Sequence, residues 1–407
     1  MELNNEISNE QEELKAFRKT LLSFWQYEEF AIREHYQPRY DKWMSLSDHQ
    51  KALLPNDYLY NLDQIKSKIH SNAEFYKDAV LSTAETLGFD LNYLNDWEMP
   101  STSDMNKTCS ILVQVYREFS AACQEERNIL LSRIQALLND IGQTDDKLTI
   151  LVPGVGIGRL IVDLCILAGS TATVISNEYS LHMLTLSMFL LNGNLDVNQY
   201  TIYPFIHSFS HWDMKSNQLK GYSIPDIDIS SQNQSRGGLN MEMRMGSFAD
   251  CFGPNVGIQE SSQYTVTPDM RLKRAEVESS IDIVITNFFI DTGFNILDYM
   301  ETITHALKPG GHWVNFGPLL YHFENDANQE TVYETNPYTN NREIAKPNTP
   351  LKGLELATME ILDIATTKLN YKIKLLEQGI PSGYGKSESL IHIPGYLCNY
   401  WVIQLQE

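Results

Sequence analysis

The chain has 407 residues, 43% of them hydrophobic, and carries a formal net charge of −21 from 31 basic and 52 acidic side chains. That length supports a large core in one or two domains, and the apolar content excludes a disordered chain. A surface this acidic repels phosphate backbones, which excludes general nucleic-acid binding; it suits solubility or a small cationic substrate.

The chain opens on MELNNEISNEQEELKAF, a polar, acidic stretch with the form of neither a signal nor a transit peptide. Residues 10–145 follow with apolar positions three and four apart, as in LKAFRKTLLSFWQYEEFAIREHY and ILVQVYREFSAACQEERNILLSRIQALLNDIG. This periodicity predicts helices, so residues 1–145 are expected to form an α-helical region, a cap or a dimerisation unit. The second run stops at Asn139-Asp140-Ile141-Gly142.

At 147 the texture changes. KLTILV reads as a buried strand, GVGIGRLIVDLCILAG as a glycine-rich turn and helix, TATVIS as a strand and SLHMLTLSMFLLNG as a helix. IDIVIT, ILDYMETITHAL and HWVNFG repeat strand, helix, strand. Strands alternating with helices predict an α/β fold with a parallel sheet covered on both faces. YKIKLLEQG and NYWVIQLQ have no helix between them, so an antiparallel hairpin is expected to close the sheet. Residues 146–407 thus form the second unit, with polar, weakly periodic insertions near 196–278 and 325–350. The apolar run LIVDLCILAG is broken by Asp163 and is too short to cross a bilayer. The five cysteines, Cys109, Cys123, Cys165, Cys251 and Cys398, are odd in number and have no metal-ligand spacing. Reduced thiols and the absence of a leader point to the cytoplasm, with the nucleus open and no membrane partner.

Three motifs carry chemistry. Gly154, Gly156 and Gly158 follow a strand and open a helix, which lets backbone N–H groups approach a ligand at a helix N-terminus. The spacing is G-x-G-x-G and not the dinucleotide G-x-G-x-x-G. Glu178 ends the next strand, where an acid accepts hydrogen bonds from ribose hydroxyls or simply starts a helix. Asp291 comes just after the strand IDIVIT, beside Phe288 and Phe289; a carboxylate delivered there is either a solvated turn acid or the mouth of an active site. His207 and His211 lie four apart but lack a third ligand and read as packing or loop histidines, so no metal is expected.

The turn Leu307-Lys308-Pro309-Gly310-Gly311, before a strand, resembles a marker of class I S-adenosylmethionine (SAM) methyltransferases, whose sheet is Rossmann-like. More narrowly, ILVPGVGIGRL (150–160), SNEYSLHMLTLSMFLLN (176–192), YPFIHSFS (203–210), FFIDTGFN (288–295), LKPGGHWVNFGPLLYHFEN (307–325), Gln114-x-x-Arg117 and Glu126-Arg127 resemble the carnosine N-methyltransferase family, in its fungal branch. The resemblance implies SAM as cofactor, held by Gln114, Arg117, Gly154, Gly156, Glu178, Ser247, Phe248 and Asn287. Arg117 would pair with the SAM carboxylate. Ser247 stands in place of a family acid near the adenine, and Asn287 in place of a cysteine of the animal relatives. It further implies Asp291 as the catalytic carboxylate, with His322, Phe288 and Tyr396 on the substrate and Tyr400 as the competitor of Tyr396. The implied reaction is methylation of the imidazole π-nitrogen of carnosine, giving anserine, and of related histidine-containing peptides. Alternatives are a protein-histidine methyltransferase, a nicotinamide-dependent oxidoreductase and a non-catalytic SAM-fold scaffold.

Overall fold

A computed structural model describes residues 2–142, 147–169, 172–255, 268–335, 342–350, 353–385 and 395–407. Parts of both expected insertions, 256–267 and 336–341, lie outside the described residues, as do Met1 and residues 143–146.

The N-terminal region is helical as its periodicity predicts. Its long helices are α1 (Glu2–Trp25), α2 (Tyr58–Leu87), α3 (Thr102–Phe119) and α4 (Gln124–Ile141), with a π-helical turn at Ile32–Tyr36. Helix α3 begins on a capping box: the Asp104 N–H donates to Ser101 Oγ at 3.2 Å and the Ser101 N–H to Asp104 Oδ2 at 2.9 Å.

Seven strands form the main sheet: β1 (Thr149–Pro153), β2 (Thr173–Glu178), β5 (Met241–Met245), β6 (Ile281–Asn287), β7 (Leu307–Gly317), β10 (Tyr371–Ser382) and β11 (Tyr396–Leu405). Their order across it is β10-β11-β7-β6-β1-β2-β5. Neighbours from β5 through β7 pair in parallel, and β11 runs antiparallel to both β7 and β10. The terminal hairpin is therefore as expected.

Residues 196–278 correct the expectation of a plain insertion. They contribute β5, which extends the core sheet beside β2, and a separate hairpin of β3 (Tyr200–Ile202) and β4 (Tyr222–Ile224). Strand β5 reads MEMRM and sits at the sheet edge, where Met241 and Met243 pack against the core but are only partly buried. Residues 325–350 hold a two-stranded hairpin, β8 (Gln329–Thr335) with β9 (Arg342–Pro350).

Side-chain alternation splits the sheet into two cores. Ile150, Val152, Ile283, Ile285 and Val314 face α4 and α5 (Arg159–Ala168). Leu151, Val284, Trp313 and Trp401 face α8 (Ile296–Ala306) and α9 (Thr358–Lys368). Among the helices between them are α6 (Leu181–Asn192) and α7 (Phe248–Phe252). A third cluster joins α1, α2 and α3 to Leu186, Phe189 and Leu190 of α6 and to Ile202, Tyr222 and Ile224 of the β3–β4 hairpin. The N-terminal helices are thus welded to the sheet unit by one shared core. No described helix is long and apolar enough to cross a membrane.

Trp313 is fully buried between Trp401 and Tyr371 and donates its indole N–H to Thr286 Oγ1 at 2.9 Å. Trp313→Ala is expected to lower unfolding free energy by about 3–5 kcal/mol. Met359→Ala, at a position 58% exposed on α9, is expected to change it by about 0.5 kcal/mol or less. Urea denaturation of the two variants checks both values.

Candidate active site

Strands β2 and β6 lie on opposite sides of β1, so the chain departs in opposite directions from the sheet centre. In open parallel sheets such a switch point leaves a crevice beyond the strands' C-terminal ends. Here the crevice is a cavity of about 710 Å³. Its walls come from the loop after β1 (Gly154, Gly156), the end of β2 (Glu178) and the turn after β5 (Ser247, Phe248). The exits of β6 (Asn287, Phe288, Asp291) and β7 (His322) complete them. Gln114 and Arg117 of α3 reach the cavity from above, and Tyr396 enters from the start of β11. All twelve site residues expected from the sequence therefore line one cavity.

The glycine loop is held between two buried carboxylates. Glu178 accepts the N–H groups of Gly156, Tyr179 and Ser180, each at 2.8 Å. Glu118, on α3, accepts those of Ile157 and Arg159, both at 3.1 Å, and the Gln114 amide at 2.6 Å. It thus caps α5 from 39 and 41 residues away. Burial pushes both carboxyl groups above the usual range, against these hydrogen bonds. The loop has room only for glycine. At Gly154 (φ +60°) a Cβ would lie 2.2 Å from the Phe289 ring, and at Gly156 (φ +68°) 2.7 Å from Glu118 Oε1.

Arg117 is stacked and braced. Its guanidinium lies 4.1 Å from the Tyr384 ring centre and 4.8 Å from that of Phe288. Its Nε donates to Glu126 Oε1 at 3.0 Å, and Glu126 Oε2 accepts the Gly385 N–H at 2.9 Å. Among the described residues its two terminal nitrogens have no hydrogen-bond partner, which leaves the guanidinium fork for a carboxylate ligand.

At the other end of the cavity, β6 finishes in a strained turn. Phe288 has φ +52°, uncommon for a bulky residue, and its N–H donates to Phe316 O at 2.8 Å. The turn sends the Phe288 ring against Tyr384 (4.7 Å between centres) and Tyr396 (5.8 Å). Three residues on, Asp291 is only 4% exposed. Its Oδ2 accepts the Leu320 N–H at 2.8 Å, and its main-chain carbonyl accepts that of His322 at 3.1 Å. Burial raises its pKa; the Leu320 N–H and His322 oppose the shift. Its second carboxylate oxygen has no partner on another described residue. His322 is exposed at the rim. Tyr400, on the same face of β11, is buried deeper in the core beside Arg133, so Tyr396 is the tyrosine at the cavity.

The donor set fits SAM. Glu178 has about four acceptor positions and uses three on backbone N–H groups, leaving one for a ribose hydroxyl. Ser247 stands before α7 with no side-chain capping bond, so its hydroxyl is available to the cavity.

Residues 94–407 match the family profile described as carnosine N-methyltransferase. The chain belongs to that family. A carnosine N-methyltransferase of Schizosaccharomyces pombe is 31% identical over 98% of this chain and 98% of its own length. That of Rattus norvegicus is 33% identical over 79% of this chain and 74% of its own, and that of Dictyostelium discoideum 31% over 77% and 65%. As a member of the carnosine N-methyltransferase family, the protein is a SAM-dependent methyltransferase on a Rossmann-like sheet. The oxidoreductase and scaffold readings fall with that assignment.

Sequence reasoning missed three contributors. Glu118 caps a distant helix, and only its place four residues after Gln114, on the same face of α3, hinted at it. Tyr384 follows a strand whose end the periodicity did not locate. Asp226, from the expected polar insertion, accepts Arg127 Nη2 at 2.5 Å and also binds Arg159, tying the hairpin segment to α4 and α5.

Glu118→Ala would strand two buried N–H donors, at about 1–3 kcal/mol each. We expect a stability loss of about 2–4 kcal/mol by chemical denaturation, and SAM affinity at least about tenfold weaker by calorimetry. A variant with wild-type affinity would mean that the loop keeps its shape without this cap.

Proposed function

We propose that the protein transfers the methyl group of SAM to the π-nitrogen of the imidazole in carnosine, giving anserine, and accepts related small histidine-containing peptides. The observation that carries this reading is Asp291: a buried carboxylate, one oxygen pinned by the Leu320 N–H, at the aromatic end of the cavity that begins at the glycine loop. Bound SAM supplies a methyl group already activated on a sulfonium.

The remaining work is positioning. A free imidazole has a pKa of about 6.5 and is mostly neutral at pH 7. Only its unprotonated nitrogen attacks. A carboxylate that accepts the τ N–H selects the tautomer whose π lone pair is free, and stabilises the positive charge that grows on the ring. Asp291 performs this role only when deprotonated, so activity falls on the acid side as its raised pKa is crossed. Phe288, Tyr384 and Tyr396 supply π faces for the ring and its developing charge, while His322 at the rim is placed to contact the rest of the peptide. Arg117, Gln114, Gly154, Gly156, Glu178, Ser247, Phe248 and Asn287 would hold SAM. A volume of about 710 Å³ is within the range of pockets for small ligands and has to take both SAM and the imidazole of the acceptor.

Transfer from methyl-labelled SAM to carnosine, with the product nitrogen assigned by NMR, tests the proposal. π-Methylation is expected in the wild type. Asp291→Asn should lower kcat by about a thousandfold while SAM Kd changes less than about threefold. Methylation of the τ-nitrogen, or equal turnover in the variant, would contradict it.

A further inference from the structure

His207 and His211 alone make no closed metal site, and the fold gives them different surroundings. His211 is exposed, whereas His207 turns inward to His35 and Cys109, and the ligand atoms of these three lie within 4.8 Å of one another. They come from three separate segments: the π-helical turn Ile32–Tyr36, helix α3 and the stretch after β3.

Two observations mark this cluster as more than packing. His35 Nε2 and His207 Nδ1 are both buried atoms without a hydrogen-bond partner, a costly arrangement for two ring nitrogens. The two rings are tilted 58° to one another with centres 4.8 Å apart. The outer nitrogen of His207 is engaged: Nε2 lies 2.9 Å from Tyr27 Oη, which also accepts the Asn72 amide. When Nε2 carries the proton, the buried Nδ1 keeps a free lone pair, the arrangement by which a second group orients a metal-binding imidazole.

We propose that His35, Cys109 and His207 bind one zinc ion that fastens the π-helical turn and the β3 segment to α3. Two imidazoles and a thiolate are the donor set zinc prefers over the harder cations, with a water completing the tetrahedron. A point among the three atoms lies within about 2.8 Å of each, so side-chain moves of roughly 0.5–0.8 Å give bonds of about 2.0–2.3 Å. On binding, the Cys109 thiol releases its proton to solvent and the thiolate forms the Zn–S bond. The consequence reaches the active site: Cys109 lies on the same helix as Gln114, Arg117 and Glu118, about one and a half to two and a half turns ahead of them. The ion lies outside the cavity that holds Asp291 and takes no part in methyl transfer.

The test uses untagged full-length protein expressed with zinc in the medium. Elemental analysis should find about one zinc per chain. Cobalt loading should give a thiolate-to-metal charge-transfer band together with the visible bands of four-coordinate cobalt. Cys109→Ser and His207→Ala should lose the zinc, while Asp291→Asn retains it. Wild-type protein that is purified without zinc and takes up none at micromolar concentration overturns the proposal, and so does zinc that survives both ligand variants. Should the variants fail to fold, the wild-type cobalt spectrum decides alone, because absence of the thiolate band removes Cys109 from the site.

Discussion

The active site depends on a backbone loop clamped between two acids. Glu178 holds Gly156 from the end of β2, and Glu118 holds Ile157 and Arg159 from α3. Neither carboxylate is comfortable: both are buried, and burial opposes their charge. Five backbone N–H groups and the Gln114 amide offset that cost, and an acceptor position remains for a ligand. The loop has to be glycine-rich because Glu118 and Phe289 crowd it.

This clamp explains why the N-terminal helices belong to the enzyme's working parts. Helix α3 brings Gln114, Arg117 and Glu118 to the cavity on one face, while its other residues, including Leu112 and Val115, pack in the shared helical core. Arg117 is then fixed by Glu126 of α4 and by the rings of Phe288 and Tyr384, which come from the ends of β6 and β10. One residue, Phe288, thus spans the cavity, its left-handed backbone placing its ring against both Arg117 and Tyr396.

Legibility in the sequence tracks how local each signal is. The strand-turn-helix at Gly154–Gly158, Glu178 at the next strand end and Asp291 after IDIVIT are local patterns, and each landed at the switch point. Resemblance to the family supplied Gln114, Arg117, His322 and Tyr396, whose proposed roles no periodicity could suggest; of the two tyrosines on β11, Tyr396 lines the cavity and Tyr400 lies deeper. Strand β5 escaped because it is only five residues long at the sheet edge, and its inward Met241 and Met243 are only partly buried, a weak signal inside a polar segment. Glu118 and the His35–Cys109–His207 cluster escaped for a different reason: their partners lie tens of residues away, and only the packed fold brings them together.

Selection of the imidazole tautomer by Asp291 is the step on which the proposed chemistry turns. It is seen most directly by ¹⁵N NMR of carnosine labelled in its ring, bound to the enzyme with S-adenosylhomocysteine, in the wild type and in Asp291→Ala. The expected spectrum is that of a neutral ring with its proton on the τ-nitrogen, and a strongly hydrogen-bonded τ N–H that disappears in the variant. A bound ring with its proton on the π-nitrogen, or a τ N–H unchanged by the substitution, would mean that Asp291 does not choose the attacking nitrogen.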